Sequence, residues 1–485
     1  MTKILNRIKN FGIFETIVLI MFTILMITSV ITHECYQEEA QSWLMARDLN
    51  PIQIIQQLKY EGHSFLWYYI LMPFAKMGFP MQTQNFITAT MAIVGVYLIL
   101  KKSPFNKMEK LLIVFSGGMI YFYSIIARPY ALAVLILYAI ATMYNQRKEH
   151  PYKYAILLAI LGQTHLIMLP VVVMLAIFFW ENELIKKETT KEEKIKLLKS
   201  LSIVMVSVII FLVIGIFTMY NCAIIRKNDI TIMGILEKIQ NQVTVATSYL
   251  IGSDNIKEYH IWMVTIPIIM CVIGSRKNAK LSLVFWSQVI FTFLVHAFIW
   301  NTISLRIYMV IYMLIFWMWL YKNEYKKDNK WLQIAFILFF LITAIPSYNI
   351  AIQDVFYNYS DGKNAAKYIE NNIEEGACFI CADNETHQSI IGYLPKNKYK
   401  FYQVSSQSYF TYMTWNEEWN RFTVYSDVED TVKKLKNEYD NLYVISLYFI
   451  GGTDMELIYT PNEKSINHMY NQNGKERYYI YKIVR

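Results

Sequence analysis

Apolar runs of about twenty residues, parted by short charged patches, constrain this chain more than any other feature of it. A helix rises about 1.5 Å per residue, so each such run can cross a hydrocarbon layer about 30 Å thick. Of the 485 residues, 55% are hydrophobic and only 17% are charged. A soluble domain carries about a quarter charged residues, and here the dilution is confined to the apolar runs. The sequence therefore predicts an α-helical polytopic membrane protein. The first run, Phe11 to Ile31, follows Lys3, Arg7 and Lys9. It is too long for a signal-peptide core, lacks a small-residue cleavage site and is followed by further runs, so it reads as an uncleaved first helix. The net charge of +9 belongs to membrane flanks. It forms no long basic arm or aromatic-interleaved groove, which argues against a nucleic-acid partner.

Lysine and arginine mark the cytoplasmic loops. Basic patches fall at Lys101–Lys110, Arg147–Lys153, Lys186–Lys196, Arg276–Lys280 and Lys322–Lys330. Two apolar runs lie between each successive pair, so the chain goes out and returns each time. The segment Phe65 to Phe79 would break this alternation, and at about fifteen residues it is short for a crossing. It is expected to be an interfacial or re-entrant helix within a first outer loop, about 32–83. The count is then about eleven crossings, with the N-terminus cytoplasmic. The division follows as a transmembrane domain, 1–346, and a small extracytoplasmic α/β domain, 347–485. In that tail, Asp361 to Asn371 and Val428 to Lys436 suit helices, with Asp361 as an N-cap. Ala377 to Ala382, Leu442 to Leu447 and Arg477 to Ile483 suit strands.

Polar groups gather in the outer turns. The first loop reads His33-Glu34-Cys35-Tyr36-Gln37-Glu38-Glu39-Ala40 and continues through Trp43, Leu44 and Ala46-Arg47-Asp48. An amphipathic helix there would lie in the interface and hold Glu38 or Glu39 above the lipid, where a carboxylate suits a general base; solvated acids are the plain alternative. Further on come Glu61-Gly62-His63 and Leu66-Trp67-Tyr68. Arg128, in Ala127-Arg128-Pro129-Tyr130, is costly beside apolar runs without an anion to bind, and suits either a phosphate or snorkelling to headgroups. His165 follows Thr164; His296 and Arg306 come later. The connection from Asn221 to Tyr259, with Arg226, Lys227, Asp229 and Lys238, has the length of a lid or binding loop. Glu15, inside the first run, faces the interface or a partner helix. Cys378 and Cys381 have C-x-x-C spacing without a second pair, so a zinc ribbon is unsupported, and with Cys35, Cys222 and Cys271 they read as unpaired thiols.

The Glu38-Glu39-Ala40 stretch with Trp43 and Ala46-Arg47-Asp48 resembles the acidic pair of the GT-C superfamily of membrane glycosyltransferases. The nearest likeness is to the bacterial branch that includes aminoarabinose transferases and protein O-mannosyltransferases. Glu61-Gly62-His63, Ala127-Arg128-Pro129-Tyr130 and Thr164-His165 fall in the same order as in that branch. The resemblance covers about the first 180 residues by motif and continues as topology alone. It implies a sugar moved from a polyprenyl-phosphate donor, at the outer face of a bacterial cell membrane, to a glycan, lipid or protein acceptor; in-line attack by the acceptor would invert the anomeric carbon. Glu38 stands where the family has an Asp, with Glu39 beside it. Arg128, Tyr130, His63, Glu61, His165 and Arg306 would bind substrate. No nucleotide or flavin is implied, and a divalent metal is optional. Two other classes stay open: a transporter or lipid flippase, and a catalytically silent scaffold. Transporters place polar groups near the bilayer midplane, whereas here they cluster at helix ends.

Overall fold

The protein is described by a computed structural model covering residues 12–61, 63–186, 189–219, 232–253, 255–274, 278–300, 303–325, 330–384, 387–419, 421–452, 454–461 and 476–484. Lys3, Arg7, Lys9, Gly62, Cys222, Arg226, Lys227, Asp229, Arg276 and Lys326 lie outside these residues. The chain forms two compact units. One takes the described residues of Met1–Val30, Phe86–Val213 and Arg226–Ala351; the other takes those of Ile31–Asn85, Ile214–Ile225 and Ile352–Arg485.

The first unit is helical. Seven helices along the chain are long and apolar enough to cross a membrane: Ile13–Thr32, Thr83–Lys102, Leu166–Ile185, Lys191–Gly215, Ala279–Ile299, Leu305–Glu324 and Lys330–Phe356. Shorter apolar helices cover Tyr130–Gln146, Pro151–Gly162 and Glu258–Val272. Burial separates their roles. The helix Tyr308–Glu324 is buried from Tyr308 through Tyr321; a helix apolar all round has no face for water and forms a core. In contrast, Ile13, Ile17, Ile20 and Ile24 stand exposed on the first helix, as do Leu198, Met205, Val206 and Ile209 on another. Such apolar rows fit lipid rather than water. The chain is an integral membrane protein by this measure.

Two sequence expectations change here. The apolar run near 111–126 is not one continuous helix. An α-helix, Lys107–Val114, gives way to a π-helical turn, Gly118–Phe122. The break falls at Gly117, where an added Cβ would lie 2.9 Å from the backbone oxygen of Thr343 and would overlap Ser347. Ser116 through Tyr130 are all buried, and a broken backbone is tolerated at membrane depth where protein surrounds it. The expected loop from Asn221 to Tyr259 contains a helix, Ile232–Ile251. Its Ala246, Tyr249 and Leu250 are buried, and its Gln242 accepts the N–H of Ile303 at 2.8 Å; that internal packing favours a helix over a lid. Glu15 meets a partner helix as expected, through Lys110 at 3.2 Å.

The second unit carries a six-stranded sheet: β1 (Cys378–Cys381), β2 (Lys400–Gln403), β3 (Ser408–Tyr409), β4 (Leu442–Ser446), β5 (Met455–Tyr459) and β6 (Tyr479–Ile483), in the order β3-β2-β1-β4-β6-β5. β1 pairs in parallel with β2 and β4, and the outer pairings are antiparallel. Helices Gly362–Asn372 and Tyr425–Leu435 lie close to their expected positions. Asp361 occupies the N-cap position but its side chain does not cap; Ser360 Oγ accepts the N–H of Gly362 at 3.1 Å instead. β2, β3 and β5 were not foreseen. The last long helix runs through position 346 to Phe356, so the change in composition there does not end it. Cys35, Cys271, Cys378 and Cys381 are buried free thiols.

The segment 32–83 also belongs to the second unit and is mostly helix: Gln37–Asp48, Pro51–Gln57 and Leu66–Lys76. At about 1.5 Å per residue the last of these is too short to cross.

Gly117→Val is expected to lower the thermal unfolding midpoint of the purified protein, through overpacking worth about 1–3 kcal/mol. Gly451→Ala, where an added Cβ meets nothing within 4 Å, should leave the midpoint unchanged. Equal midpoints for both variants would contradict the packing at Gly117.

Candidate functional site

Two clusters of polar side chains stand out, one in each unit. In the second unit, the helix Gln37–Asp48 places Glu38 and Glu39 in its first turn and Arg47 in its last. Both placements suit the helix dipole. Glu39 also closes the N-terminus, accepting the N–H of Tyr36 at 3.2 Å. The helix is not interfacial. Gln37 and Glu39 through Ala46 are all buried, and of the polar residues only Glu38, Arg47 and Asp48 stay partly open, so no continuous polar face is left for water, and the amphipathic reading is corrected.

The two neighbouring acids have opposite surroundings. Glu39 is fully buried; its Oε2 lies 3.0 Å from His33 Nε2, and its Oε1 accepts from Asn85 Nδ2 at 2.7 Å. The other ring nitrogen of His33 lies 2.9 Å from Asp354 Oδ2. Burial would push His33 down, but the charges of Asp354 and Glu39 hold it well above its usual value. The ring is therefore an imidazolium that donates to both carboxylates. Tyr359 packs on it with ring centres 5.0 Å apart. Glu38 is half-buried and accepts from Tyr36 Oη at 2.8 Å. Of the pair, only Glu38 keeps access to a reacting group.

More acids surround this core. Glu34, whose Oε2 accepts the N–H of Tyr359 at 2.9 Å, is pushed up to about 7 by burial. Glu476 is also raised to about 7 by burial, despite hydrogen bonds from Ser360 and from the N–H of Gln37. Glu61 is buried and accepts from Gln41 Nε2 at 2.7 Å and from Tyr68 Oη at 3.3 Å. It thus braces the acidic helix from a residue expected to bind substrate. His63 is half-buried just before the helix Leu66–Lys76. Among the described residues, no group of three or more His, Cys, Asp or Glu side chains is arranged to hold a metal.

The first unit brings together Arg128, Tyr130, His165 and Arg306. Arg128 and Tyr130 are buried at the start of the helix Tyr130–Met143. His165 occupies the turn between Pro151–Gly162 and Leu169–Ile185, and Arg306 the turn before Tyr308–Glu324. Burial lowers His165 well below its usual value, and Arg306, His296 and Arg128 press it further down. Burial and the two arginines beside it keep the ring neutral. Its Nδ1 accepts the N–H of Ile167 at 3.2 Å, so the proton sits on Nε2, which faces outward from that bond as a donor. Tyr130 packs 5.1 Å from His165 and stacks on Tyr123 at 4.7 Å; Tyr123 stacks in turn on Tyr312 at 4.9 Å. Tyr123 Oη donates to the backbone oxygen of Leu305 at 3.1 Å, which fixes the segment bearing Arg306. Guanidinium groups gathered in apolar surroundings suit a multiply charged oxyanion.

Asp354, Glu476 and Glu34 were not singled out by sequence reasoning. An acid near the end of the last apolar run was the visible signal for Asp354; nothing near Glu476 marks it.

The sign of the pH response follows from these groups. Glu34 and Glu476 rise from 4.5 to about 7 on folding, so the stability they favour is present at low pH and falls as pH rises across that window. His33 acts in the same direction: its contribution is complete below about 6.5 and is lost as pH rises through its raised value. The unfolding midpoint should therefore fall between about pH 6.5 and about pH 8, above the range in which the lowered His165 acts in the opposite sense, and Glu34→Gln and Glu476→Gln should each flatten the slope. A midpoint that climbs over this range would refute the burial of these acids. His33→Ala, which strands two buried carboxylates, should cost about 3–5 kcal/mol in denaturant unfolding at neutral pH; a cost below about 1 kcal/mol would mean the cluster is wet.

The chain matches no protein-family model, and no curated protein matches it.

Proposed function

We propose that the protein is a membrane glycosyltransferase that moves a sugar from a polyprenyl-phosphate donor to an acceptor. The observation that carries this reading is the group of Arg128, Arg306 and His165 on helix ends of an apolar, helical unit. A lipid-linked phosphate needs cations beside an apolar path for its tail; this unit carries the cations at helix ends and exposed apolar rows along its helices. The topology that goes with it has about eleven crossings, a cytoplasmic N-terminus and the C-terminal sheet outside a bacterial cell membrane.

The proposed roles follow from the surroundings of each group. Arg128 and Arg306 neutralise the donor phosphate, and the Nε2–H of neutral His165 donates to one of its oxygens. Glu38 takes the proton of the acceptor as the acceptor oxygen or nitrogen bonds to the anomeric carbon. The bond from that carbon to the phosphate oxygen breaks, its electron pair leaves with the polyprenyl phosphate, and the configuration inverts. Glu39 positions the acidic helix through His33 and Asn85 and takes no proton. Charge grows on the leaving phosphate, so fixed cations there stabilise the transition state more than the ground state.

The test is release of polyprenyl phosphate from a panel of radiolabelled polyprenyl-phosphate hexoses, in membranes containing the protein. Glu38→Gln should lower kcat by about 10²–10⁴-fold, and Arg128→Ala by about 10²–10³-fold, with unfolding midpoints near that of the parent. Turnover that survives Glu38→Gln would remove the base from that residue. Absence of turnover with every donor, together with donor movement across the bilayer, would sink the transferase reading in favour of a flippase.

A further inference from the structure

The C-terminal sheet has a cavity of about 600 Å³ beside β2 and β3, within the range of about 300–1,000 Å³ that small-molecule sites occupy. Its aromatic lining is Tyr399, Phe401, Tyr409, Phe410, Tyr412 and Trp419. Hydroxyl and amide groups of Ser408, Thr411, Thr414 and Asn416 stand among the rings. The charged side chains of the lining are one lysine, Lys400, and one glutamate, Glu418.

The lining narrows the occupant. A phosphate or polyanion needs an excess of cations, which this balance of charge does not give. A wholly apolar ligand would strip the hydroxyls and amides of water without replacing their hydrogen bonds. A saccharide presents apolar C–H faces that pack on rings and a rim of hydroxyls that pair with side-chain oxygens and amides. The wall is also built before any ligand arrives. Trp419 donates its indole N–H to the Asn384 oxygen at 2.7 Å, Asn416 Oδ1 accepts the N–H of Trp419 at 2.8 Å, and Phe410 meets Trp419 edge-on at 5.0 Å. Preformed walls lower the entropy lost on binding. Tyr409 is 48% exposed, so its ring is available.

The loop that forms this wall also grips the acidic helix. Met413 donates its N–H to Gln41 Oε1 at 2.8 Å and accepts from Gln41 Nε2 at 3.0 Å. Gln41 follows Glu38 by three residues, and hence shares its side of the helix. We propose that the cavity binds a neutral carbohydrate, and that it serves as the acceptor subsite of the transfer reaction. The acceptor role rests on the transferase reading; the carbohydrate binding does not.

The test uses the full chain in a sugar-free zwitterionic detergent, titrated with maltohexaose, cellohexaose, chitohexaose and mannohexaose and read by saturation-transfer NMR. At least one should bind with a Kd below about 1 mM. Tyr409→Ala should weaken it about tenfold or more and Tyr409→Phe by less than about twofold, since the ring is kept. Tyr412→Ala, a second ring of the lining, should weaken it as well and decides the matter if Tyr409→Ala does not fold. No binding by any of the four, binding unaffected by loss of either ring, or a neutral peptide bound in their place would overturn the proposal. The two readings separate cleanly. Saccharide binding that persists in Glu38→Gln, without transfer from any donor to the parent protein, keeps the cavity and sinks the transferase. Transfer by a protein that binds none of the four sinks the cavity alone.

Discussion

His33 lies between Glu39 and Asp354, and its contact with Asp354 joins positions 321 residues apart. Through it the second unit is tied together: the segment 32–83, the end of the last long helix and, by way of Gln37 and Glu476, the segment that leads into β6. A lone imidazole in this place would be driven neutral by burial. Here each ring nitrogen meets a carboxylate oxygen, at 3.0 Å from Glu39 and 2.9 Å from Asp354. Buried ion pairs rarely add much net stability over an apolar replacement, and removing one member is costly. What the arrangement supplies is a fixed register for the helix that bears Glu38.

That register explains how two adjacent glutamates come to differ. Glu39 spends both oxygens on His33, Asn85 and the N–H of Tyr36. Glu38, one residue earlier on the helix and about 100° away around it, meets Tyr36 Oη and keeps part of its surface open. A pair of carboxyls whose surroundings diverge is the usual way for one of them to do chemistry while the other holds the frame. Tyr36 serves both, its backbone bound to one acid and its hydroxyl to the other.

The sequence made the helical, membrane-spanning character legible because a run such as Ile13–Thr32 has few alternatives once its length is known. The neutral turn at His165 and the arginines at 128 and 306 were legible as a group, since helix ends recur at predictable intervals between basic loops. What stayed hidden depended on contacts far apart in the chain. Asp354 and Glu476 look like surface acids until the fold brings them to His33 and Gln37. The break at Gly117 comes from the nearness of Thr343 and Ser347, which no local pattern records. β2, β3 and β5 are short, and β3 has only two residues, too few for alternation to register. The helix Gln37–Asp48 looked amphipathic from Trp43, Leu44 and Ala46-Arg47, but its polar Gln37, Gln41 and Ser42 are buried and bonded.

The cationic group of the first unit follows a different logic from the acids of the second. A guanidinium does not give up its proton in proteins, so the cost of crowding Arg128 and Arg306 falls on neighbouring groups that can titrate, His165 among them. His165 yields, becoming neutral, and its bond to Ile167 decides which nitrogen holds the remaining proton. The result is a seat with fixed charge and a directed donor, set in place by the stack of Tyr312, Tyr123 and Tyr130. In the proposed reaction the leaving group is already an anion when it arrives. A site of mobile charges would spend reorganisation energy as the bond breaks, whereas one assembled by packed rings and buried backbone bonds has met that cost during folding.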